Sequence, residues 1–468
     1  MENRKSYDVA VLGGGLTGFT AAVRCAQLGK KTALIEEHAL GGAGRQLGTV
    51  PIHFLLQNAK IIRACTESKD KGLRFGKVSL NIEALHKAYE TKLEKLATVL
   101  RDSLKSAGVE IYIGTGSPRT DGLIAITREG YKIRFIETDQ LILAGGTVPD
   151  VPGKFRDVPG VLTDWTVGLT DYLPRTFIIC GSGPKMCEAA QIYSIFGSQV
   201  TLLLTGTELL PGMGDMINES VRETLTAGGI KIFTNLMFGT VYRDSAYNFH
   251  LEAHARDSEE IQNYSAEDLY VTGDCRANLR GLDALPLVTN GGWIETDSHF
   301  KTSVNNVYAP SGSELIHGSQ AGQAAAALTA AEAACGAEVT EYNSRLVPKV
   351  VETIPEAASI GLLPREAGAA GYDIKSGLFP MSLNDWAVML DGDEGFVQVS
   401  ADAHFGELLG VQAYGRSAAE IITIAESVMT LEGTVDDLAN IVYPYPSVAE
   451  ALGEAALDAV DSGMRKKS

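Results

Sequence analysis

The sequence is short of positive charge and of long apolar runs. Its 40 lysine and arginine residues face 58 aspartate and glutamate residues, so the formal net charge at pH 7 is -18. A surface of this sign repels phosphate backbones and anionic lipids, which argues against nucleic acid and membranes as partners. The first apolar stretch, YDVAVLGGGLTGF, is short and rich in glycine, and it predicts neither a signal peptide nor a membrane-spanning helix. The expected location is therefore the cytoplasm.

The sequence also lacks closely spaced cysteine pairs. Its six cysteines are Cys25, Cys65, Cys180, Cys187, Cys275 and Cys335. Their spacings do not repeat in the way that zinc sites and disulfide frameworks require, so no metal site is predicted. Cys180 and Cys187 lie closest together, at a predicted strand-to-helix turn, where two small packing residues are the simplest interpretation.

A dinucleotide-binding pattern begins near the N-terminus of this 468-residue chain. The stretch DVAVLGGGLTGFTAAVRCAQLGKKTALIEE predicts a strand, then Gly13, Gly15 and Gly18 in GxGxxG spacing, a helix, and a second strand ending at Glu36. The glycines permit a tight turn, close approach to a pyrophosphate and close helix–strand packing, while Glu36 can bind ribose hydroxyls. The unpaired N–H groups at the start of the helix suit the pyrophosphate.

A second unit of this kind is incomplete. The stretch TFIICGSGPKMCEAAQIYSIFGSQVTLLLTG contains Gly181 and Gly183, but Met186 takes the place of the third glycine and the strand ends at Leu204 without an acid. No arginine follows directly to bind a 2′-phosphate, so the sequence does not choose between NADH and NADPH. Two interpretations stay open: a nucleotide site, and a Rossmann-like scaffold that has lost its nucleotide.

Two further stretches have clear periodicity. Residues 80–107 show helical spacing with mixed charge and predict a solvated pair of helices. Beyond residue 346, FVQVSADAHFGELLGVQAYG predicts alternating strands around a turn, and SAAEIITIAESVMTLEG predicts a following helix. The C-terminal part is therefore expected to be a separate α+β domain.

These features occur in an order that resembles the dihydrolipoamide dehydrogenase branch of the pyridine nucleotide-disulfide oxidoreductases. The resemblance also rests on LGGAGRQLGTVPIHFLL at residues 40–56, VVETIPEAASIGL, GELLGVQAYG and YPYPSVAEAL, and it covers nearly the whole chain. It implies an α/β fold with two Rossmann-like dinucleotide-binding domains and a C-terminal α+β dimerisation domain. It also implies FAD as a cofactor, leaves NAD(P)H open as a second one, and predicts a homodimer.

The resemblance divides the chain into four segments. Residues 1–148 would form the first part of the FAD-binding domain, and residues 149–274 the NAD(P)-binding-like domain. Residues 275–345 would be a central segment that completes the FAD domain. Residues 346–468 would form the interface domain, which contributes residues to the partner's active site in the dimer.

The departures from the family pattern concern its thiol chemistry. The pattern GGTCLNVGCIPSK lies over GGAGRQLGTVPIH, so Gly44 and Thr49 replace the two redox-active cysteines. The His-Pro of the C-terminal motif is Tyr445-Pro446, although Glu450 keeps the place of the acid that orients the histidine. Disulfide exchange needs a thiolate, which neither a glycine nor an ordinary hydroxyl supplies. The sequence therefore predicts that disulfides are not the substrates.

The expected flavin contacts are altered as well. The family's central Gly-Asp, which meets the ribityl chain, falls on Ser311-Gly312 or Gly312-Ser313, and Glu314 is a candidate replacement for the aspartate. Gly42 and Gly145 are further candidate cofactor-binding residues.

The family's lysine beside the flavin becomes His53, while Glu188 keeps the place of the glutamate that approaches it. A histidine beside a carboxylate can carry the charge of the lysine and can also release a proton near neutral pH. In the alternative interpretation, His53 only fills space and Glu188 caps a helix.

Three functional hypotheses follow. The first is an FAD-dependent oxidoreductase that takes electrons from NAD(P)H or another donor and reduces a small non-disulfide acceptor such as a quinone, as the similar soluble transhydrogenases and quinone-reducing relatives suggest. Its candidate catalytic residues are His53, Thr49, Glu188 and, from the partner subunit, the equivalents of Tyr445 and Glu450. The second is an electron-transferring flavoprotein subunit whose acidic surface steers a redox protein partner. The third is a non-catalytic descendant of the family.

Overall fold

The computed structural model describes residues 4–67, 72–76, 78–316, 320–461 and 463. Within these ranges, no helix combines the length and the apolar character that crossing a membrane would require.

The N-terminal part folds around a mainly parallel sheet. Its elements are β1 (Lys5–Leu12), α1 (Leu16–Gln27), β2 (Thr32–Glu36), α2 (Gly42–Gln46), α3 (Thr49–Glu67), α4 (Ile82–Ser106), β3 (Glu110–Ile113), β4 (Thr115–Pro118), β5 (Leu123–Thr127) and β6 (Arg134–Leu143). The strand order is β3-β2-β1-β6-β5-β4, with β4 and β5 antiparallel. A later strand, β18 (Val307–Tyr308), pairs in parallel with β6, so the chain returns to this first sheet.

The first glycine turn is as tight as its sequence predicts. Gly13 has φ +104°, and a Cβ there would lie 2.2 Å from the carbonyl oxygen of Ala144. A Cβ on Gly18 would lie 1.8 Å from the carbonyl oxygen of Gly13, so only glycine lets α1 approach the end of β1 this closely.

The stretch 80–107 differs from the predicted pair of helices. It contains a single helix, α4, with its N-terminus capped by the side chain of Asn81, which accepts a hydrogen bond from the N–H of Ala84. No glycine or proline interrupts the sequence of α4, and therefore nothing in it ends the helix early.

The middle part forms a second parallel sheet with an antiparallel hairpin layer. Its elements are β7 (Thr147–Pro149), α5 (Gly153–Arg156), β8 (Thr176–Cys180), α6 (Pro184–Phe196), β9 (Gln199–Leu203), α7 (Asp215–Ala227), β10 (Lys231–Phe233), β11 (Leu236–Arg243), β12 (Phe249–Ala255), β13 (Gln262–Ala266), β14 (Asp268–Val271), β15 (Cys275–Ala277), β16 (Thr289–Asn290) and β17 (Trp293–Ile294). The parallel order is β10-β9-β8-β14, and β11-β12-β13 is antiparallel. Strand β7 pairs with β15, and β16 pairs with β17, in two separate two-stranded sheets. Met186, Cys180 and Cys187 are all buried in the cores beside β8 and α6.

The C-terminal part is an antiparallel sheet covered by helices. Its elements, with the helix before it, are α8 (Gln320–Cys335), β19 (Lys349–Val351), β20 (Glu356–Gly361), α9 (Pro364–Ala369), β21 (Ile374–Pro380), α10 (Asp385–Met389), β22 (Phe396–Asp402), β23 (Leu408–Gly415), α11 (Ala418–Thr430), α12 (Val435–Ala439) and α13 (Glu450–Ala459). The strand order is β19-β20-β23-β22-β21. The fold is thus α/β, with two Rossmann-like domains and a C-terminal α+β domain.

One hydrophobic core joins all three parts. It contains Ile52 and Leu56 from α3, Met186 from α6, and Val351 and Tyr414 from the C-terminal sheet. Because α3 packs against α6, side chains that are far apart in the sequence are held close together in this core.

Candidate flavin site

A cavity of about 540 Å³ lies between the first glycine turn and the segment around α2 and the start of α3. Seven of the residues predicted from the sequence line it, namely Gly13, Gly15, Glu36, Gly42, Thr49, Gly145 and Gly312. Gly18 lies behind the turn, where it allows the close packing of α1. The sequence therefore identified the wall of this cavity from segments spread over some 300 residues.

The end of the cavity beside α1 is suited to a dinucleotide. The helix begins after Gly15, and no side chain caps its first N–H groups, which leaves donors for a phosphate. Glu36 is buried, and its carboxylate accepts hydrogen bonds from the N–H of Gly14 at 2.6 Å and of His38 at 2.8 Å. These contacts hold the carboxylate in the cavity wall, where FAD would place its adenosine ribose.

The segment that carries Gly312 is less suited to the family's ribityl contact. Ser311 is buried, and its hydroxyl accepts a hydrogen bond from the N–H of Gly146 at 3.1 Å and donates to the carbonyl of Leu143 at 3.3 Å. A Cβ on Gly312 would lie 2.9 Å from Cδ1 of Ile294, so the neighbours leave little room for a side chain.

Glu314, the candidate replacement for the missing aspartate, does not line the cavity in this structure. It is exposed in a 3₁₀ turn, Glu314–Ile316, and lies outside the set of residues that line the cavity. The physical reason is that the chain turns away directly after Ser313, whose hydroxyl is held 2.8 Å from that of Thr296. The cavity thus fits the dinucleotide half of FAD and offers no carboxylate from residues 311–314 at the other half.

The segment at residues 40–56 forms α2 and the first turns of α3. Gly44 and Thr49 both line the cavity. The six cysteines all lie within the described residues, and none of them lines it. In the described part of the chain there is also no group of three or more His, Cys, Asp or Glu side chains placed to hold a metal ion.

His53 and Glu188 come together one helical turn behind the cavity wall. Thr49, which lines the cavity, is one turn before His53 in α3, and Lys185, which also lines it, is one turn before Glu188 in α6. Nε2 of His53 lies 3.7 Å from a carboxylate oxygen of Glu188, an ion-pair distance that is too long for a strong hydrogen bond. The predicted pair is therefore in contact, and neither residue is among those that line the cavity.

The structure adds a third member that the sequence did not reveal. Nδ1 of His53 lies 3.7 Å from a carboxylate oxygen of Glu352, and Glu188 accepts a hydrogen bond from the N–H of Glu352 at 3.0 Å. Burial of the ring lowers the pKa of His53, but the attraction of Glu188, followed by that of Glu352, outweighs burial and leaves the pKa above its ordinary value of 6.5. Glu188 lies within α6 and does not cap it.

Gly181 and Gly183 of the second unit are not among the residues that line this cavity. Both have positive φ, and a Cβ on Gly181 would lie 2.1 Å from the carbonyl oxygen of Thr272. Beyond the end of β9, Arg222 donates to the carbonyl of Thr207 at 2.8 Å and Arg256 donates to that of Thr205 at 3.4 Å. Two arginines thus approach the loop after β9, although neither follows that strand directly in the sequence.

Tyr445 and Glu450 also lie outside the set of residues that line the cavity of the same chain. The side chain of Tyr445 is exposed, at 70%, and its hydroxyl donates to a carboxylate oxygen of Asp385 at 3.3 Å. Glu450 begins α13 and accepts a hydrogen bond from the N–H of Ser447 at 3.3 Å. Their place in a partner's site stays a prediction.

Comparisons with known proteins agree with this architecture. Residues 7–312 match the family model described as pyridine nucleotide-disulphide oxidoreductase, and residues 347–456 match the dimerisation domain of that family. The chain is 32% identical to a dihydrolipoyl dehydrogenase of Bacillus subtilis strain 168, over 97% of this chain and 98% of the relative. It is 31% identical to a dihydrolipoyl dehydrogenase of Thermus scotoductus, over 97% of each chain.

Among solved structures, the fold is similar to that of LpdA from Mycobacterium tuberculosis, with a TM-score of 0.87, 23% identity, and coverage of 97% of this chain and 99% of the other. It is also similar to the HOCl-induced flavoprotein disulfide reductase RclA from Escherichia coli, with a TM-score of 0.81, 18% identity, and coverage of 97% and 99%. The family uses FAD and NAD(P)H, and the dimerisation domain supports a homodimer. With both of its domain models matched in order, this chain belongs to the pyridine nucleotide-disulphide oxidoreductases.

Proposed function

We propose that this chain is an FAD-dependent oxidoreductase that passes electrons from NAD(P)H or another donor to an acceptor that is not a disulfide, such as a quinone. The observation that carries the proposal is the pair of residues Gly44, in α2, and Thr49, the first residue of α3. Gly44 and Thr49 line the cavity where the family pattern has its two cysteines, and no cysteine of the chain lines it. Without a thiolate, the protein cannot open a substrate disulfide by exchange.

The other changes point the same way. The histidine of the family's C-terminal motif serves the thiols, and Tyr445 stands in its place. A tyrosine has an ordinary pKa of about 10 against about 6.5 for histidine, so it donates a hydrogen bond near neutral pH and does not act as a base. The residues for the dinucleotide, in contrast, are kept at Gly13, Gly15 and Glu36, where they line the cavity. The proposal is that the thiol-handling groups were lost and the flavin-binding groups were retained.

The chain's own residues would divide the work as follows. The N-terminus of α1 and Glu36 would hold the pyrophosphate and the adenosine ribose of FAD. FAD when bound supplies a centre that accepts and releases electrons. His53, held between Glu188 and Glu352, would keep a positive charge one turn behind the cavity wall and exchange a proton near neutral pH.

The dimer would complete this site. By the family resemblance, Tyr445 and Glu450 of one subunit would lie at the cleft of the other, with the phenol as a hydrogen-bond donor. The exposure of Tyr445 in the single chain is compatible with such a role.

The test compares acceptors under anaerobic conditions with the FAD-loaded protein. NADH and NADPH are each tried as donors, and lipoamide, glutathione disulfide and a benzoquinone are each tried as acceptors. We expect turnover with the quinone and none with either disulfide, and we expect prior alkylation with N-ethylmaleimide to leave quinone turnover unchanged. Lipoamide is included because the relatives are named dihydrolipoyl dehydrogenases. Reduction of lipoamide that alkylation abolishes would overturn the proposal.

A matched variant separates the missing cysteines from the rest of the site. Gly44→Cys combined with Thr49→Cys restores one thiol in α2 and one at the start of α3. We expect this variant to bind FAD and to become sensitive to alkylation where the wild type is not.

The wild-type protein also distinguishes the alternative functions. If it holds FAD firmly but its flavin stays oxidised with both NADH and NADPH, the result would favour the flavoprotein subunit with a protein partner. Failure to bind FAD would favour the non-catalytic descendant.

A further inference from the structure

Lys185 reaches the flavin cavity from the second Rossmann-like domain. It lies in the first turn of α6, directly after Pro184, and it lines the cavity together with Trp165. The family pattern gave no reason to look for a cation here, because this turn belongs to the incomplete second glycine unit. Lys185 is thus part of the second Rossmann-like domain in the sequence, but its side chain lines the cavity of the first domain.

A buried carboxylate fixes the position of this ammonium group. Nζ of Lys185 lies 2.7 Å from Oδ2 of Asp164, whose side chain is only 7% exposed, while that of Lys185 is 43% exposed. The hydroxyl of Tyr270 donates to Oδ1 of the same carboxylate at 2.7 Å. Burial, together with the charge of Asp164, raises the pKa of Tyr270 well above its usual range, so this hydroxyl keeps its proton and remains a donor. Asp164 therefore has a partner on each oxygen.

The order of the charges relative to the cavity follows from these exposures. The ammonium is the accessible member of the pair and lines the cavity, whereas the carboxylate is buried and is absent from the cavity lining. Whatever fills the cavity beside Lys185 meets the positive end of the ion pair first. The carboxylate partly offsets that charge, so the effect is smaller than that of an isolated lysine.

The part of the cavity next to Lys185 is the end remote from the adenosine position. Glu36 and the start of α1 bind the adenosine and pyrophosphate half of a dinucleotide. The turn Val167–Leu169, which follows Trp165, lies against the start of α3, where a Cβ on Gly168 would come within 2.9 Å of Cβ of Pro51. The redox-active half of FAD, which extends away from its pyrophosphate, would therefore lie at the end that Thr49 and Lys185 line.

We propose that Lys185, oriented by Asp164, is the cationic group that favours the reduced state of the bound flavin. Reduction adds negative charge to the flavin, and a nearby ammonium stabilises the more negative state. His53 is not among the residues that line the cavity, whereas Lys185 is. Lys185 thus acts on the flavin, and Asp164 is its positioning residue. This inference rests on FAD binding and not on the identity of the electron acceptor.

The experiment measures the two-electron reduction potential of the FAD-loaded protein against a reference dye, without any acceptor. In Lys185→Gln, the ratio of reduced to oxidised flavin at a fixed potential should fall about tenfold, which corresponds to a potential about 30 mV lower. Lys185→Arg should stay near the wild type. Asp164→Asn removes the offsetting negative charge but keeps an oxygen for Tyr270, and it should raise the potential. A purely structural role would not give the two variants opposite signs.

Lys5→Gln is the matched control, because Lys5 also forms an ion pair, 2.6 Å from Glu110, but does not line the cavity. The proposal is overturned if Lys185→Gln changes the ratio by less than about twofold, or about 9 mV. If Lys185→Gln does not retain FAD, Asp164→Asn decides, and an unchanged or lower potential in that variant overturns the proposal. A lowered reduction potential in Lys185→Gln would support the role of Lys185 even if the protein does not reduce the quinone in the test of the proposed function.

Discussion

Replacing His53 by glutamine tests whether the histidine behind the cavity wall couples proton uptake to flavin reduction. The two carboxylates at 3.7 Å favour the charged ring and hold the pKa of His53 above 6.5, against the opposing effects of burial and of Lys60. The ring is therefore charged below pH 6.5 and loses its charge as the pH rises through the raised pKa. A plot of reduction potential against pH should change slope above pH 6.5 in the wild type and lack that change in His53→Gln.

The size of the interaction can be worked out from the distances. Two unit charges 3.7 Å apart attract by about 1 kcal/mol at the dielectric constant of water and by about 4.5 kcal/mol at an effective value of about 20. The side chain of His53 is 32% exposed and that of Glu352 is 29% exposed, so the lower figure is the better guide for this pair. A double-mutant cycle of His53→Gln with Glu352→Gln, measured on the free energy of unfolding, should give a coupling of about 1 kcal/mol at about pH 6, where the ring is charged and the carboxylate is ionised. The coupling should vanish at high pH.

The assay has a built-in comparison. Glu352→Gln should move the change of slope to lower pH, because it removes one of the two carboxylates that raise the pKa of His53. His250→Gln is the control, since His250 pairs with Asp244 at 2.8 Å in the hairpin layer and lies outside the cavity lining. Identical potential–pH plots for the wild type and His53→Gln would refute the coupling, and so would a change of slope below pH 6.5.

Three further substitutions test the cavity and the dimer. Gly15→Val should abolish FAD retention during purification. A Cβ on Gly15 already lies 3.7 Å from Cα of Gly42, and the added methyl groups of valine would fill the phosphate position. Normal flavin content in the purified variant would contradict this prediction. Gly312→Asp should lower the free energy of unfolding by about 1–3 kcal/mol, because its Cβ would lie 2.9 Å from Cδ1 of Ile294, and it should not tighten FAD binding. Chemical denaturation measures the first effect and flavin titration the second. Tyr445→Phe should slow acceptor turnover without changing FAD content, and steady-state kinetics showing unchanged turnover would leave Tyr445 a packing residue.

The sequence predicted the cavity wall well because local chemistry dictates it. The glycines at 13 and 18 are required by backbone contacts closer than any Cβ allows, and Glu36 ends the strand that follows α1. Such features lie within about 30 residues of one another and are read directly from spacing. The fold class followed from the same two units and the C-terminal strands.

The sequence could not reveal groups whose role depends on the tertiary arrangement. Glu352 meets His53 only because β19 ends beside α6, and Asp164 receives Lys185 from one side and Tyr270 from the other. The position of Glu314 outside the cavity lining could not be read from the sequence for a related reason. Its proximity to Gly312 in sequence said nothing about the direction in which the chain turns after Ser313.

The two ion-pair clusters explain how the redox chemistry could change without loss of the fold. Helix α3 presents Thr49 to the cavity and His53 to Glu188 behind it, while α6 presents Lys185 to the cavity and Glu188 to His53. Both helices also contribute to the core that joins the three parts of the chain. Residues that line the cavity can therefore be substituted while the other faces of α3 and α6 maintain the core packing and the ion pair of His53 with Glu188. This framework is present with Gly44 and Thr49 in place of the two cysteines of the family pattern, so under the proposed function the loss of disulfide exchange would not require the loss of flavin chemistry.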